Sequence, residues 1–445
     1  MLKIKSYHFY SILLTILFVS CNSTPKKENT KWLSLAKKTE KYILKGKDSF
    51  SYGMAWNNMP DSTKSRGDVS VYSGDSGIIL FYLELYNATK DTTYLNQAKI
   101  GANTLESLIK DSITSPYFTG LYAGYSGIGF TLAETYKVTK NKKYKTAALK
   151  IVDLLEQYAE KTDHGIEWKG FNDIMYGSAG IGLYLQYISD KFDYKKADSL
   201  SVLAANGLID NAIDTLGGYR WVFSPKLTKP MDNFSHGTAG VAYFLSETYR
   251  RTKDKKFLDA SLQATKLLKN IENSKGYIPH DLPKGKDLYY HGWCHGPAGT
   301  DRLFYSLYHS TDDKKWIDRI TTTADYLITD NIDKEEKPGY WNNVSRCCGT
   351  AGIAEYYAWV YEITNNEKYL NFSEKLTENL LAKATHENDY MKWVQAEHRV
   401  KPEFLAAQTG LMQGNAGIGL WFLELDAIHN NKKKLIQFPD KPKVE

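Results

Sequence analysis

Gly237-Thr238-Ala239-Gly240 runs straight into the apolar stretch Val241-Ala242-Tyr243-Phe244-Leu245, and it is one of seven Gly-x-x-Gly copies along the chain. The others begin at Gly74, Gly124, Gly177, Gly296, Gly349 and Gly414, with successive copies 50 to 65 residues apart. Self-similarity at such a period marks a repeat architecture, in which each unit buries its apolar face against its neighbours. Equivalent loops from all the repeats then gather on one face of the molecule.

Each Gly-x-x-Gly opens an apolar segment of about a dozen residues, as at 77–86, 127–136, 240–249, 352–361 and 417–425. These segments are apolar on several sides, as a buried helix is. A polar turn follows, then a helix with a clear polar face, as at 144–158 and 257–271. An aromatic stands just after each Lys/Asp/Asn-rich turn, at Tyr94, Tyr144, Tyr194, Phe257, Trp316 and Tyr369, and Trp32 supplies a seventh. The first outer helix, about 30–46, therefore precedes the first inner one, while the last inner helix, about 416–427, has no outer helix after it. That offset lets the two ends pair and close a ring. The expected fold is all-α, an (α/α)7 toroid of seven inner and seven outer helices over residues 30–430. Glycines are expected where seven helix starts crowd one axis, because they tolerate close backbone approach and positive φ. Insertions such as 274–288 leave room for short hairpins.

Length alone, 445 residues, would suggest two or three domains, but the even spread of the repeat argues for one ring. Hydrophobic content of 42% and charged content of 24% are those of a globular protein. The net charge of +6 is mild, and no basic cluster is interleaved with aromatics, so no nucleic-acid partner is expected. Residues 431–445 read as a C-terminal tail, with the run Lys432-Lys433-Lys434 solvated. The 33 tyrosines and 10 tryptophans suit helix packing, with an aromatic sugar-binding groove as the alternative.

The N-terminus reads as a targeting segment. Lys3 and Lys5 precede an apolar run over 9–19 that is too short for an ordinary membrane span. Phe18-Val19-Ser20-Cys21 resembles a bacterial lipobox, which implies a signal peptide over 1–21, a lipid on Cys21, a tether over 22–29, and a monomer anchored at the cell envelope outside the cytoplasm. The alternative is an uncleaved signal anchor.

The residues just before the glycine pairs vary in a chemically pointed way: Ser73, Ala123, Tyr176, His236, His295, Cys348 and Gln413. Cys294 precedes His295, and Cys347 precedes Cys348. With Cys21 set aside, three cysteines remain, an odd count unlike a disulfide framework, and adjacent cysteines bridge only with strain. Three thiolates from neighbouring repeats would make a zinc site with one open position, the catalytic kind. Buried free thiols are the plain alternative.

Trp293-Cys294-His295-Gly296-Pro297-Ala298-Gly299 and Cys347-Cys348-Gly349-Thr350-Ala351-Gly352 resemble the Trp-Cys-x-Gly and Cys-His-Gly motifs of the lanthionine synthetase C-like family, with Cys348 in place of the usual His. The resemblance spans essentially the whole chain after the N-terminal segment. It implies the α/α toroid, Zn2+ as cofactor, and addition of a cysteine thiol to a dehydroamino acid of a peptide or small-molecule substrate to give a thioether. It implies Cys294, Cys347 and Cys348 as zinc ligands, and His236 and Asp173 as the positions of the family's active-site histidine and aspartate. His236 is the candidate general acid that protonates the enolate, while Asp173 has two open roles, holding an imidazole or taking the thiol proton. His295 is a further catalytic candidate, as a substrate-facing group or beside the metal, and His291 a weaker one. Where some members carry an arginine this chain has Tyr290, with Arg302 and Arg346 as nearby substitutes. Two other readings stay open: a glycan hydrolase using Asp173 with Glu167 or Asp232, and a zinc-bearing binder of peptides without catalysis.

Overall fold

The computed structural model describes residues 30–62, 67–111, 115–334, 343–398 and 400–444. The expected targeting segment and tether, 1–29, lie outside them.

Among the described residues the chain is a ring of fourteen α-helices. The inner helices are α2 (Asp75–Thr89), α4 (Tyr125–Thr139), α6 (Ser178–Phe192), α8 (Thr238–Thr252), α10 (Pro297–Thr311), α12 (Thr350–Thr364) and α14 (Asn415–His429). The outer helices are α1 (Lys31–Lys45), α3 (Thr92–Asp111), α5 (Lys142–Tyr158), α7 (Lys195–Asp210), α9 (Lys255–Ile271), α11 (Lys315–Thr329) and α13 (Glu367–Ala382). The inner helices are buried on nearly every side; in α2, for example, the ten residues from Asp75 to Glu84 are all buried. The outer helices bury one face, and their turn-marking aromatics Tyr144, Phe257, Trp316 and Tyr369 point into it. The ring closes as the offset predicts. Helix α1 packs on α14, with the Trp32 and Phe422 rings stacked at 6.2 Å and Asn415 donating to the Thr39 carbonyl at 3.3 Å.

A closed circle of backbone hydrogen bonds joins the loops that start the inner helices. Tyr72 N–H donates to Tyr122 O, Tyr122 to Met175, Ile174 to Ser235, Ser235 to Cys294, Cys294 to Cys347, Cys347 to Met412, and Met412 back to Tyr72, at 2.8–3.3 Å. Each loop is thus fixed in height and angle against both neighbours, which is what brings residues far apart in sequence to one spot.

The glycines serve close approach alone. None of the seven helix-capping glycines has a positive φ, so that part of the expectation is corrected. The second glycine of each pair lies over the carbonyl six residues before it. A Cβ on Gly299 would meet Trp293 O at 1.9 Å, and one on Gly352 would meet Arg346 O at 2.0 Å. Those two carbonyls belong to the residues immediately before Cys294 and Cys347.

Among the described residues five short antiparallel hairpins decorate the loop face: Lys47–Phe50 with Gly53–Trp56, Glu160–Lys161 with Ile166–Glu167, Ile213–Thr215 with Gly218–Arg220, Thr385–Glu387 with Tyr390–Lys392, and Gln395–His398 with Lys401–Ala406. The 274–288 insertion, where a hairpin was entertained, contains no strand.

Lys432 and Lys433 are exposed as expected, but the C-terminal segment beyond them is not a free tail. It turns back into the bore of the ring. Glu84 accepts from the Leu435 and Ile436 amides at 2.9 and 2.8 Å, Lys434 pairs with Glu362 and Glu424, and Lys441 pairs with Glu355 and Glu424. Ile436, Phe438 and Asp440 are buried. Except for Glu424, these carboxylates come from inner helices distant in sequence, so the run of lysines alone does not announce them.

Candidate metal centre

Cys294 sits at the start of the α10 loop, and Cys347 and Cys348 sit in the α12 loop next to it. The bond from Cys294 N–H to Cys347 O aligns the two loops, and the Cys294 sulfur then lies 2.9 Å from that of Cys348, with the Cys348 and Cys347 sulfurs 3.4 Å apart. All three sulfurs lie within 4.8 Å of one another, and none forms a disulfide. Three thiolates on a tetrahedral zinc at about 2.3 Å would stand about 3.8 Å apart, within the 4.8 Å that spans these sulfurs and slightly wider than the two contacts at 2.9 and 3.4 Å. The residues present therefore fit a metal ion held by three cysteines.

The surroundings favour thiolate at Cys347 and hold the neighbouring thiols up, Cys294 through its hydrogen bond to Cys347 and Cys348 through those to Cys294 and Cys347. Hydrogen bonds from Cys294 and Cys348, and a weaker one from Tyr72 at 3.3 Å, hold the buried Cys347 thiol well below the ordinary thiol range. Tyr72 is oriented in turn by Gln413, whose side-chain amide donates to its hydroxyl at 2.7 Å. Tyr72 went unnoticed in the sequence because it lies in a loop with no cysteine of its own. Gln413 was noticed only as the residue before a glycine pair.

Asp173 and His236 come together from the α6 and α8 loops. Asp173 is fully buried; one oxygen accepts from the Tyr176 amide at 3.0 Å and the other contacts His236 Nδ1 at 2.8 Å. His236 is a quarter exposed; the Ser235 amide before it donates to Cys294 O at 2.9 Å and its ring lies 5.7 Å from that of His295, so it adjoins the cysteine loop. Tyr176 stacks parallel to its ring at 6.2 Å and Phe223 meets it edge-on at 5.1 Å, which fixes the ring plane.

His295 is buried within an array of rings, 5.7 Å from His236, 4.6 Å from His280 and 5.9 Å from Tyr290. Burial pushes its pKa well below the usual histidine range, so it stays neutral, and its Nδ1 has no hydrogen-bond partner among the described residues. His280 comes from the irregular 274–288 insertion, which carries no repeat mark, and sequence reading missed it. His291 is buried against Tyr277.

The two arginines expected to stand in at the mouth turn the other way. Arg346 forms a bidentate pair with Glu355 at 2.6 and 2.8 Å and lies over the Phe438 ring at 4.6 Å. Arg302 donates to Asp440 at 2.6 Å. Both face the bore, and that substitution is corrected. Asp440 also accepts from the Tyr122 hydroxyl at 3.0 Å and the Trp293 indole at 3.1 Å. The C-terminal segment thus braces the residues beside Cys294 and Cys347 from beneath and leaves a void of about 20 Å³, room for about one water.

The carboxylates a glycan hydrolase would use are engaged elsewhere. Asp232 forms a buried bidentate pair with Arg220 at 2.9 and 2.8 Å, Glu167 accepts from Asn211 at 2.6 Å, and Asp173 belongs to His236.

Comparison with known proteins agrees with this architecture. Nisin cyclase superposes with a TM-score of 0.62 at 18% identity, covering 82% of this chain and 90% of its own. A Listeria innocua protein follows at 0.54, 12% identity, and 91% and 99% coverage. A GH76 alpha-mannanase from Bacteroides thetaiotaomicron matches at 0.50, 11% identity, and 91% and 98% coverage. At these identities the likeness speaks to fold alone, and toroids of differing activity share it. The family model described as lanthionine synthetase C-like protein matches residues 65–440, from the first inner-helix loop to the buried Asp440. The chain belongs to the lanthionine synthetase C-like family.

Proposed function

We propose that this protein is a zinc-dependent enzyme that adds a thiol across the double bond of a dehydroamino acid, forming a thioether on an exported or surface peptide. The observation that carries this reading is the convergence of Cys294, Cys347 and Cys348 beside the Asp173–His236 pair. A zinc ion held by the three cysteines would supply Lewis acidity that keeps a substrate thiol as the thiolate.

The chain's own residues supply the proton traffic. Asp173, an acceptor when ionised, keeps the proton of His236 on Nδ1 and leaves Nε2 to take the proton of the incoming thiol. Sulfur then bonds to the β-carbon, the double-bond electrons move toward the carbonyl, and His236 returns the proton to the α-carbon. Atoms balance without any further reactant. Neutral His295, aligned by His280 and Tyr290, borders the same space and can accept a hydrogen bond from substrate.

The protein is placed by this proposal at the cell envelope, a monomer tethered through Cys21, where its substrate is a peptide that has already left the cytoplasm. The test is thiol addition to a dehydroalanine peptide by metal-loaded protein, comparing wild type with Cys347→Ala and His236→Ala. Thioether formation lost in both variants supports the reading. Metal-loaded wild type that is inert on several dehydropeptides yet binds them favours a non-catalytic peptide binder.

A further inference from the structure

All seven inner helices start at the ring of loops, and each is 15 residues long, about 22 Å. The turns that end them therefore share the face opposite the sulfurs. Six inner helices close on a left-handed residue, at Lys90, Lys140, Asp193, Lys253, Asp312 and Asn365, and the seventh closes at Asn430. Over four residues counted from each cap, these turns hold fourteen lysines against six carboxylates, a net +8. The whole chain carries only +6, so everything outside these turns sums to −2. The positive charge of the protein is gathered on one face.

Much of it is uncommitted. Lys140, Lys142, Lys253, Lys255, Lys314 and Lys433 are exposed and form no ion pair among the described residues. The polypeptide also enters the fold here. Helix α1 begins at Lys31, and the Thr30 hydroxyl donates to Asp426 in the last turn of α14. Thr30, the first described residue, therefore lies on this face. From Cys21 to Thr30 the chain can reach at most about 30 Å.

We propose that this turn face docks on an anionic phospholipid bilayer and holds the three-sulfur mouth toward solvent. Lysines near anionic headgroups attract cumulatively over about a Debye length, which suits a flat rim of separate turns better than a single pocket. The proposal does not depend on the metal or on the reaction.

The test uses the chain from residue 21 with Cys21→Ser, so that no lipid is attached, mixed with vesicles of phosphatidylcholine alone or of phosphatidylcholine with phosphatidylglycerol. Co-sedimentation is expected to be about tenfold higher on the anionic vesicles and to fall with added salt. Reversing Lys140→Glu, Lys142→Glu, Lys253→Glu and Lys255→Glu together is expected to bring it to the neutral-vesicle level with the circular dichroism unchanged. A control with Lys226→Glu and Lys401→Glu on the loop face is expected to bind as before. Chelation is expected to leave binding unchanged, so a failed metal reading does not touch this result. Equal partition onto both vesicles, or full binding by the reversed variant, would overturn the proposal. So would displacement by millimolar inorganic phosphate alone, or tighter binding to polyglutamate than to vesicles, which would point to a free-anion site or an acidic protein partner.

Discussion

The carboxylate of Asp440 accepts a hydrogen bond from the indole of Trp293 at 3.1 Å across 147 residues of sequence, and the next residue after Trp293 is the sulfur-bearing Cys294. A buried anion in the bore is thereby coupled to the position of one candidate metal ligand. The same anion neutralises Arg302, so removing its charge leaves a buried cation unpaired. Asp440→Asn is expected to lower metal affinity about tenfold, as outer-sphere supports commonly do, and to cost about 3 kcal/mol of stability. Chelator competition and urea unfolding measure the two. Tyr184→Phe, which deletes the buried hydroxyl bond to the Ala148 carbonyl between α5 and α6, is the control: it should lower stability alone.

Metal content should depend on all three sulfurs. Cys294→Ala, Cys347→Ala and Cys348→Ala are each expected to reduce bound zinc from one equivalent to a small fraction, with the toroid intact by circular dichroism. In the wild-type protein, chelation should make the thiols reactive toward a disulfide reagent, and zinc should protect them again. Thiols that label equally fast with and without zinc would remove the metal from the account.

Asp173→Asn should separate binding from chemistry. The amide can no longer hold the His236 proton on Nδ1 in the same way, yet it touches no sulfur. Thioether formation is expected to fall about 100-fold or more with zinc content unchanged. A loss of zinc in this variant would reassign Asp173 to the metal site.

Asp301 should tie stability to pH. It is buried in α10, accepts from the Tyr356 hydroxyl at 2.6 Å, and burial raises its pKa to about 7 against an ordinary 3.8. The fold therefore binds this proton more tightly than the unfolded chain does. Its stabilising contribution is complete below about pH 4, declines as pH rises toward 7, and is gone above that, a swing of about 4 kcal/mol. Denaturation midpoints followed from pH 4 to 8 should show the decline, and Asp301→Asn should flatten it.

The ring could be read from the glycines because they answer a constraint repeated seven times, a Cβ meeting the carbonyl six residues back. The cysteines could be read because they sit at the same offset in neighbouring repeats. What escaped the sequence was whatever the repeat does not encode. His280 arrives on an insertion without periodicity. Arg302 and Arg346 lie near the three cysteines along the chain, but Asp440 and Glu355 draw them to the other side of the loops. The lysines at 434 and 441 look like solvent-facing charges until Glu355, Glu362 and Glu424 are placed around them by helices α12 and α14.

The stopper in the bore also sets a timetable. Leu435, Ile436 and Asp440 find their partners 351, 352 and as many as 318 residues earlier, at Glu84 and Tyr122, and α14 must meet α1 before the circle exists at all. Contacts of such long sequence separation form late in folding. The cysteines therefore stay unbraced until residues 435–440 have docked, and a chain cut before Leu435 would keep its helices while losing the floor beneath them.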